Sequence, residues 1–179
     1  MHDARVLRFV AIMAACYAVW FAVYDLWLLP DGRLDAWLST EVAAWTGGLL
    51  TALGQDVRVD GREVWMGGAG IQLIAECNGL SVLSLFVGFV LAYPGRWSRR
   101  AWFIPLGVLV IQAVNVLRCA VLLALLGRSK AAFDVGHGSG GLLVFYAVVF
   151  ALWVVWSRIG GAEAVNRPVQ RDTAAVLAA

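Results

Sequence analysis

Residues 71–94 read IQLIAECNGLSVLSLFVGFVLAYP. The second half, residues 80–93, is apolar almost without interruption. With Asn78 and Gly79 it reaches about 16 residues, close to the ~17-residue lower limit for a membrane-spanning helix. Asn78, Gly79 and Ser81 mark a break ahead of that run, and the polar ones can cap a helix start. Cys77 stands immediately before the break. A cysteine in an apolar protein is ordinarily a small, inert packing residue. At a helix N-terminus, however, the backbone dipole favours the thiolate, which is the reactive form.

Outward from this stretch, the composition is that of a membrane protein. Of 179 residues, 61% are hydrophobic and 15% charged, with a mean hydropathy of +0.78. These values lie outside the soluble globular range and indicate an all-α, multi-pass membrane fold. The net charge of +2 gives no reason to expect a nucleic-acid partner. The three cysteines, Cys16, Cys77 and Cys119, show no paired spacing. No disulfide framework, zinc site or cofactor is indicated.

Four spans are expected, at roughly 6–29, 79–94, 101–126 and 139–157. The first is long and rich in aromatics (Trp20, Phe21, Tyr24, Trp27) and reads as a retained anchor rather than a cleaved signal. Between the first two, Leu34, Trp37, Leu38, Val42, Trp45, Leu49 and Leu53 recur at helical spacing. They predict an amphipathic helix over 34–53, lying on the membrane surface or packed on the bundle. Residues 57–66, VRVDGREVWM, predict a small β-hairpin turning at Asp60-Gly61. A Gly-rich MGGAG and an extended segment from Ile71 then lead to Cys77. Residues 127–138 form a polar loop, and Ser139 is a plausible cap for the last span. One membrane domain over 1–160 and a cytoplasmic, disordered tail over 161–179 complete the expected organisation.

With four spans both termini share a side. That side carries Arg5, Arg8, Arg96, Arg99, Arg100, Arg158, Arg167 and Arg171, in short segments. The opposite side carries Arg33, Arg58, Arg62, Arg128 and Lys130, spread over far more residues. The positive-inside rule therefore predicts an N-in, C-in orientation in the cell membrane. Cys77 then falls at the outer face, His137 just before the fourth span at the same face, and Arg118 in the outer leaflet.

Arg118 is costly where it stands, because a charge within a span costs at least about 2.5–3.5 kcal/mol on insertion scales. Snorkelling to headgroups, or pairing with Glu76 or Asp134, would explain it structurally. Asn115 shares its helix face three residues earlier, a polar companion that a snorkelling arginine does not need. Cys119 points roughly 100° away, towards lipid or a neighbour. His137 lies between two glycines, and an imidazole is the side chain suited to proton transfer near neutral pH.

Three motifs in this order resemble the exosortase/archaeosortase family: Cys77-Asn78-Gly79-Leu80 opening a span, Asn115-x-x-Arg118 within one, and Phe133-x-x-x-His137-x-x-x-Gly141-x-x-x-Phe145 entering the last. The resemblance covers roughly residues 55–156. It implies an integral membrane cysteine transpeptidase or protease with the triad Cys77, Arg118 and His137. Asn115 and Asn78 are the supporting candidates, Asn115 as the residue that orients Arg118. The resemblance also implies substrates that are exported proteins ending in a short motif, a transmembrane helix and a basic tail. Typical members have about eight spans, so with four counted here a membrane partner or a homo-oligomer is expected to supply the rest. The other readings are a catalytically silent assembly subunit and a plain membrane protease that releases its product by hydrolysis.

Overall fold

A computed structural model describes residues 2–137 and 141–165. Long apolar runs form helices because a bilayer offers the backbone no other hydrogen-bond partner. The first run gives α1 (His2–Trp20), a π-helical continuation over Phe21–Leu28 and a closing turn α2 (Leu29–Asp31). Of this, Ala4–Asp31 is long and apolar enough to span. A single continuous helix, α5 (Trp97–Leu126), carries Pro105 inside it. The last helix, α7, runs Gly141–Val165 with its apolar part at Leu143–Gly160. By length these are three candidate spans. The helix after Cys77, α4 (Leu80–Ala92), has 13 residues and is the short fourth member.

The four helices nevertheless alternate in direction through one bundle. At one end Phe9 packs edge-on against Phe89 and Tyr93, at 5.8 and 6.4 Å between ring centroids. There Arg100 donates to the carbonyls of Val90 (3.2 Å) and Tyr93 (3.0 Å), and Arg99 donates to that of Ile159. The start of α1, the end of α4, the start of α5 and the end of α7 therefore meet. The arginines expected on a common side, Arg8, Arg99 and Arg100 among them, lie at this end. The core beside them is Phe86, Val90, Phe103, Ile111, Phe145 and Trp156. Gly107 leaves room for the Phe86 ring, which any Cβ there would strike.

The other end holds α3 (Arg33–Ala52) and a three-stranded antiparallel sheet. The helix was expected at 34–53 and forms there, packed against α5 and the sheet. The apolar stripe, however, divides between two faces. Leu38, Val42 and Leu50 turn inward beside Asp35, Ser39 and Thr46, while Trp37 and Trp45 remain 59% and 47% exposed. The small residues on the inner face allow a close approach; a Cβ on Gly47 would run into Val59.

The expected hairpin is present as β1 (Val57–Asp60) and β2 (Glu63–Met66). Asp60 pairs with Glu63, so the loop is Gly61-Arg62, one residue later than the spacing suggested. A third strand, β3 (Ala69–Gln72), extends the sheet across the Gly-rich stretch. Gly67 and Gly68 turn with φ of 56° and 84°, the two positive angles a type I′ turn requires. The expected loop 127–138 instead contains a helix, α6 (Lys130–Val135). Ser139, along with Arg167 and Arg171 of the tail, lies outside the described residues.

Candidate active site

The chain leaves β3 in an extended conformation. Leu73, almost fully buried, donates its amide to the Arg62 carbonyl at 2.9 Å. A single 3₁₀ turn over Ala75–Cys77 follows. Gly79 then takes φ +80°, a left-handed conformation that a side chain would strain, and α4 begins. This kink separates Cys77 from the helix and places it at the edge of the core formed by Leu38, Val116, Cys119 and Leu123. Cys77 is half-buried.

Five polar side chains hold the kink. Asn78 is fully buried. Its Oδ1 accepts from the Leu80 amide at 2.9 Å, which satisfies the first free N–H of α4, although the cap position itself is Gly79, which has no side chain to cap with. Its Nδ2 donates to Asp35 Oδ1 at 2.6 Å, and the same oxygen accepts from the Tyr24 hydroxyl at 2.8 Å. From the other side, Gln112 Nε2 donates to the Asn78 carbonyl at 3.1 Å, and Asn115 Nδ2 to the Cys77 carbonyl at 2.8 Å. Asn115 therefore holds the Cys77 backbone through Nδ2, while its Oδ1, the atom that could accept from Arg118, is buried without a partner among the described residues. The contacts follow from helix geometry: Gln112 and Asn115, three apart on α5, share a face, and that face meets the turn.

Arg118 lies one turn beyond Asn115. It is half-buried, and its guanidinium carbon sits 5.9 Å from the centroid of the Phe145 ring on α7, within cation–π range. Its Nε is buried without a hydrogen-bond partner among the described residues. Neither Glu76 nor Asp134 pairs with it; the described ion pairs are Arg33–Asp31 and Arg58–Asp60. Arg118 lines an apolar cavity of about 300 Å³ between α5 and α7, closed on one side by Gly136. His137 follows Gly136, is exposed, and stacks on Phe133 with centroids 5.3 Å apart and 9° between planes. Cys119 is buried in the core that Cys77 edges, so its neighbour is protein rather than lipid.

Among the expected site residues, then, Cys77, Asn78 and Asn115 form one hydrogen-bonded unit. Arg118 and the segment that carries His137 border one cavity on the adjoining flank of α5. Among the described residues no hydrogen bond or ion pair joins Cys77, Arg118 and His137 to one another. Asp35, Tyr24 and Gln112 were missed. The argument applied to Asn115 and Arg118, polar residues three apart in an apolar run, applies equally to Gln112 and Asn115. Asp35 had no such signal, because an acid on an amphipathic helix is normally solvated.

Fold and site together define a polytopic membrane protein whose cysteine sits on a buried, side-chain-clamped turn at one end of a helical bundle. The family model for transmembrane exosortases matches residues 4–154, and the chain belongs to the transmembrane exosortase family. The match begins in α1, well ahead of the 55–156 expected from the motifs, and takes in α3. No curated protein and no solved structure matches the chain.

Proposed function

We propose that this protein is an exosortase-type cysteine transpeptidase acting at the extracytoplasmic face of the cell membrane, with both termini in the cytoplasm. The substrates are exported proteins that carry a C-terminal motif, a transmembrane helix and a basic tail. The thiolate of Cys77 attacks the scissile carbonyl and forms a carbon–sulfur bond. Arg118 stabilises the thiolate or the oxyanion of the tetrahedral intermediate. His137 gives a proton to the departing amine as the C–N bond breaks, leaving a thioacyl-enzyme, and then takes one from the acceptor. An amine or hydroxyl acceptor completes transpeptidation; water completes hydrolysis.

The observation that carries this reading is the clamp on the Cys77 turn. A cysteine serving only to pack needs no hydrogen bond to its own carbonyl and none to the next residue's side chain and carbonyl. Arg118 adds to it, as a guanidinium with a buried N–H unclaimed and a cavity beside it. Among the described residues no hydrogen bond joins Cys77 to His137, which favours a second reading, a silent assembly subunit that keeps the fold. Catalytic hydrogen bonds are commonly long before substrate binds, which is why the first reading is preferred.

The test compares envelope proteins of wild-type and Cys77→Ala cells by C-terminal mass spectrometry. The expected result is one or more proteins that keep a hydrophobic C-terminal helix only in the variant. The mass of the wild-type C-terminus distinguishes an acceptor from water. Unchanged C-termini with a stably accumulated variant would leave the silent-subunit reading standing.

A further inference from the structure

We propose that Asp35 is a positioning residue for Cys77, acting through Asn78, with Tyr24 holding Asp35 in place. The proposal rests on the reading of Cys77 as nucleophile and adds a residue on α3 to that site. Among the described residues Asp35 is the one buried carboxylate, at 6% exposure. No cation among the described residues pairs with it. A carboxylate buried without a cation is expensive unless hydrogen bonds hold it. Here both donors, the Tyr24 hydroxyl and the Asn78 amide, converge on Oδ1, while Oδ2 is buried without a partner. A core that needed only to be filled is better served by an apolar residue.

The carboxylate has one property that an apolar or amide side chain lacks: it accepts and never donates when ionised. Facing Asp35, Asn78 must present its NH₂ group. That leaves Oδ1 for the Leu80 amide, which is the pairing observed. Asp35 therefore selects one of the two amide orientations of Asn78. With the amide fixed, the first N–H of α4 is satisfied and the Asn78 carbonyl is left to Gln112. The backbone on which Cys77 is carried is thereby held in register with α5. The Asp35–Asn78 bond spans 43 residues of sequence. Tyr24 ties the same oxygen to the π-helical end of the first span, so three segments fix one turn.

The test uses the full-length chain in lipid nanodiscs with three variants: Asp35→Asn, Asp35→Ala and Tyr24→Phe. Three quantities are read on each: the rate and pH profile of Cys77 alkylation by iodoacetamide, followed by peptide mass spectrometry; the alkylation rate of Cys16 in the same sample; and the melting temperature. Processing of substrate in cells is followed alongside. Asp35→Asn keeps the size but can donate, so Asn78 is free to flip. It is expected to slow Cys77 alkylation roughly 10-fold and displace its pH profile, with Asp35→Ala approaching 100-fold. Cys16 should be unaffected in Asp35→Asn, the melting temperature nearly so, and Tyr24→Phe should show a few-fold effect in the same direction. Wild-type Cys77 kinetics and pH profile in Asp35→Asn overturn the proposal. So does a parallel change at Cys16 with a lowered melting temperature, which marks general loosening. The catalytic reading fails separately, if Cys77→Ala cells process normally, whatever the alkylation shows.

Discussion

The two flanks of α5 near its middle are built on different physics. On one, the Cys77–Asn78 turn is held by Asp35, Gln112 and Asn115 through bonds of 2.6–3.1 Å, with Asn78 and Asn115 wholly buried. On the other, Arg118 rests on Phe145 beside an apolar cavity, and His137 is exposed two residues past the end of the six-residue α6. The first flank is fixed before any substrate arrives. The second keeps its donors uncommitted. On the proposed reading, a site that attacks one carbonyl but accepts a whole peptide gains from this division, because orientation of the nucleophile is what a small displacement damages most.

If the open flank serves chemistry and the clamped flank serves geometry, substitutions should separate accordingly. His137→Ala should slow processing by roughly 10²- to 10⁴-fold. Its melting temperature should stay near wild type, since an exposed substitution costs within about 0.5 kcal/mol; a large melting shift would break the comparison. Arg118→Ala should lose roughly 10²- to 10³-fold in processing. The same variant should be as stable as wild type or more so, because an unpartnered buried N–H leaves with it; Arg118→Lys should not restore activity, having no planar fork.

The clamped flank should respond in the opposite sense. Asn78→Ala takes one of two hydrogen-bond donors from the buried Asp35 carboxylate and leaves the Leu80 amide unpaired. In chemical unfolding it should cost about 3 kcal/mol, and activity should fall with the folded fraction and with Cys77 reactivity together. Gly79→Ala should be the mildest, about 1–2 kcal/mol for a left-handed alanine, with its Cβ 3.4 Å from Asn115 Nδ2. Equal stability of Gly79→Ala and wild type would show that the kink relaxes more readily than its φ implies.

The spans were legible because bilayer-length apolar runs leave the backbone one choice. The first hairpin was legible from Asp60-Gly61, although its loop slipped by one residue. The third strand was not read from Gly67-Gly68, although paired glycines are a hairpin signal of the same kind. For α3 the period was right and the face was not. Spacing alone does not say that Trp37 and Trp45 look outward while Asp35, Ser39 and Thr46 look inward, because that depends on what α3 packs against. The candidate site was legible only in part: Asn115, whose amide holds the Cys77 carbonyl, and Arg118 do lie on neighbouring turns of α5. Its hydrogen bonds were not legible. Asp35–Asn78, Gln112–Asn78 and Asn115–Cys77 each join residues 34 to 43 apart, and no local pattern announces a partner at that distance.

The brevity of α4 has a consequence for the membrane itself. Its C-terminal carbonyls are tied to Arg100 at the arginine-rich end of the bundle, and its 13 residues rise only about 20 Å. The helix therefore stops about 10 Å short of a ~30 Å hydrocarbon layer. The irregular backbone of Cys77 and Asn78 then begins where lipid tails would otherwise be, a depth at which unpaired carbonyls are not tolerated. Asn115 and Gln112 meet that requirement. They also tie the depth of the thiol to the local thickness of the bilayer, so that, on the proposed transpeptidase reading, lipids of longer or shorter chain should raise or lower the plane at which a substrate presents its peptide bond.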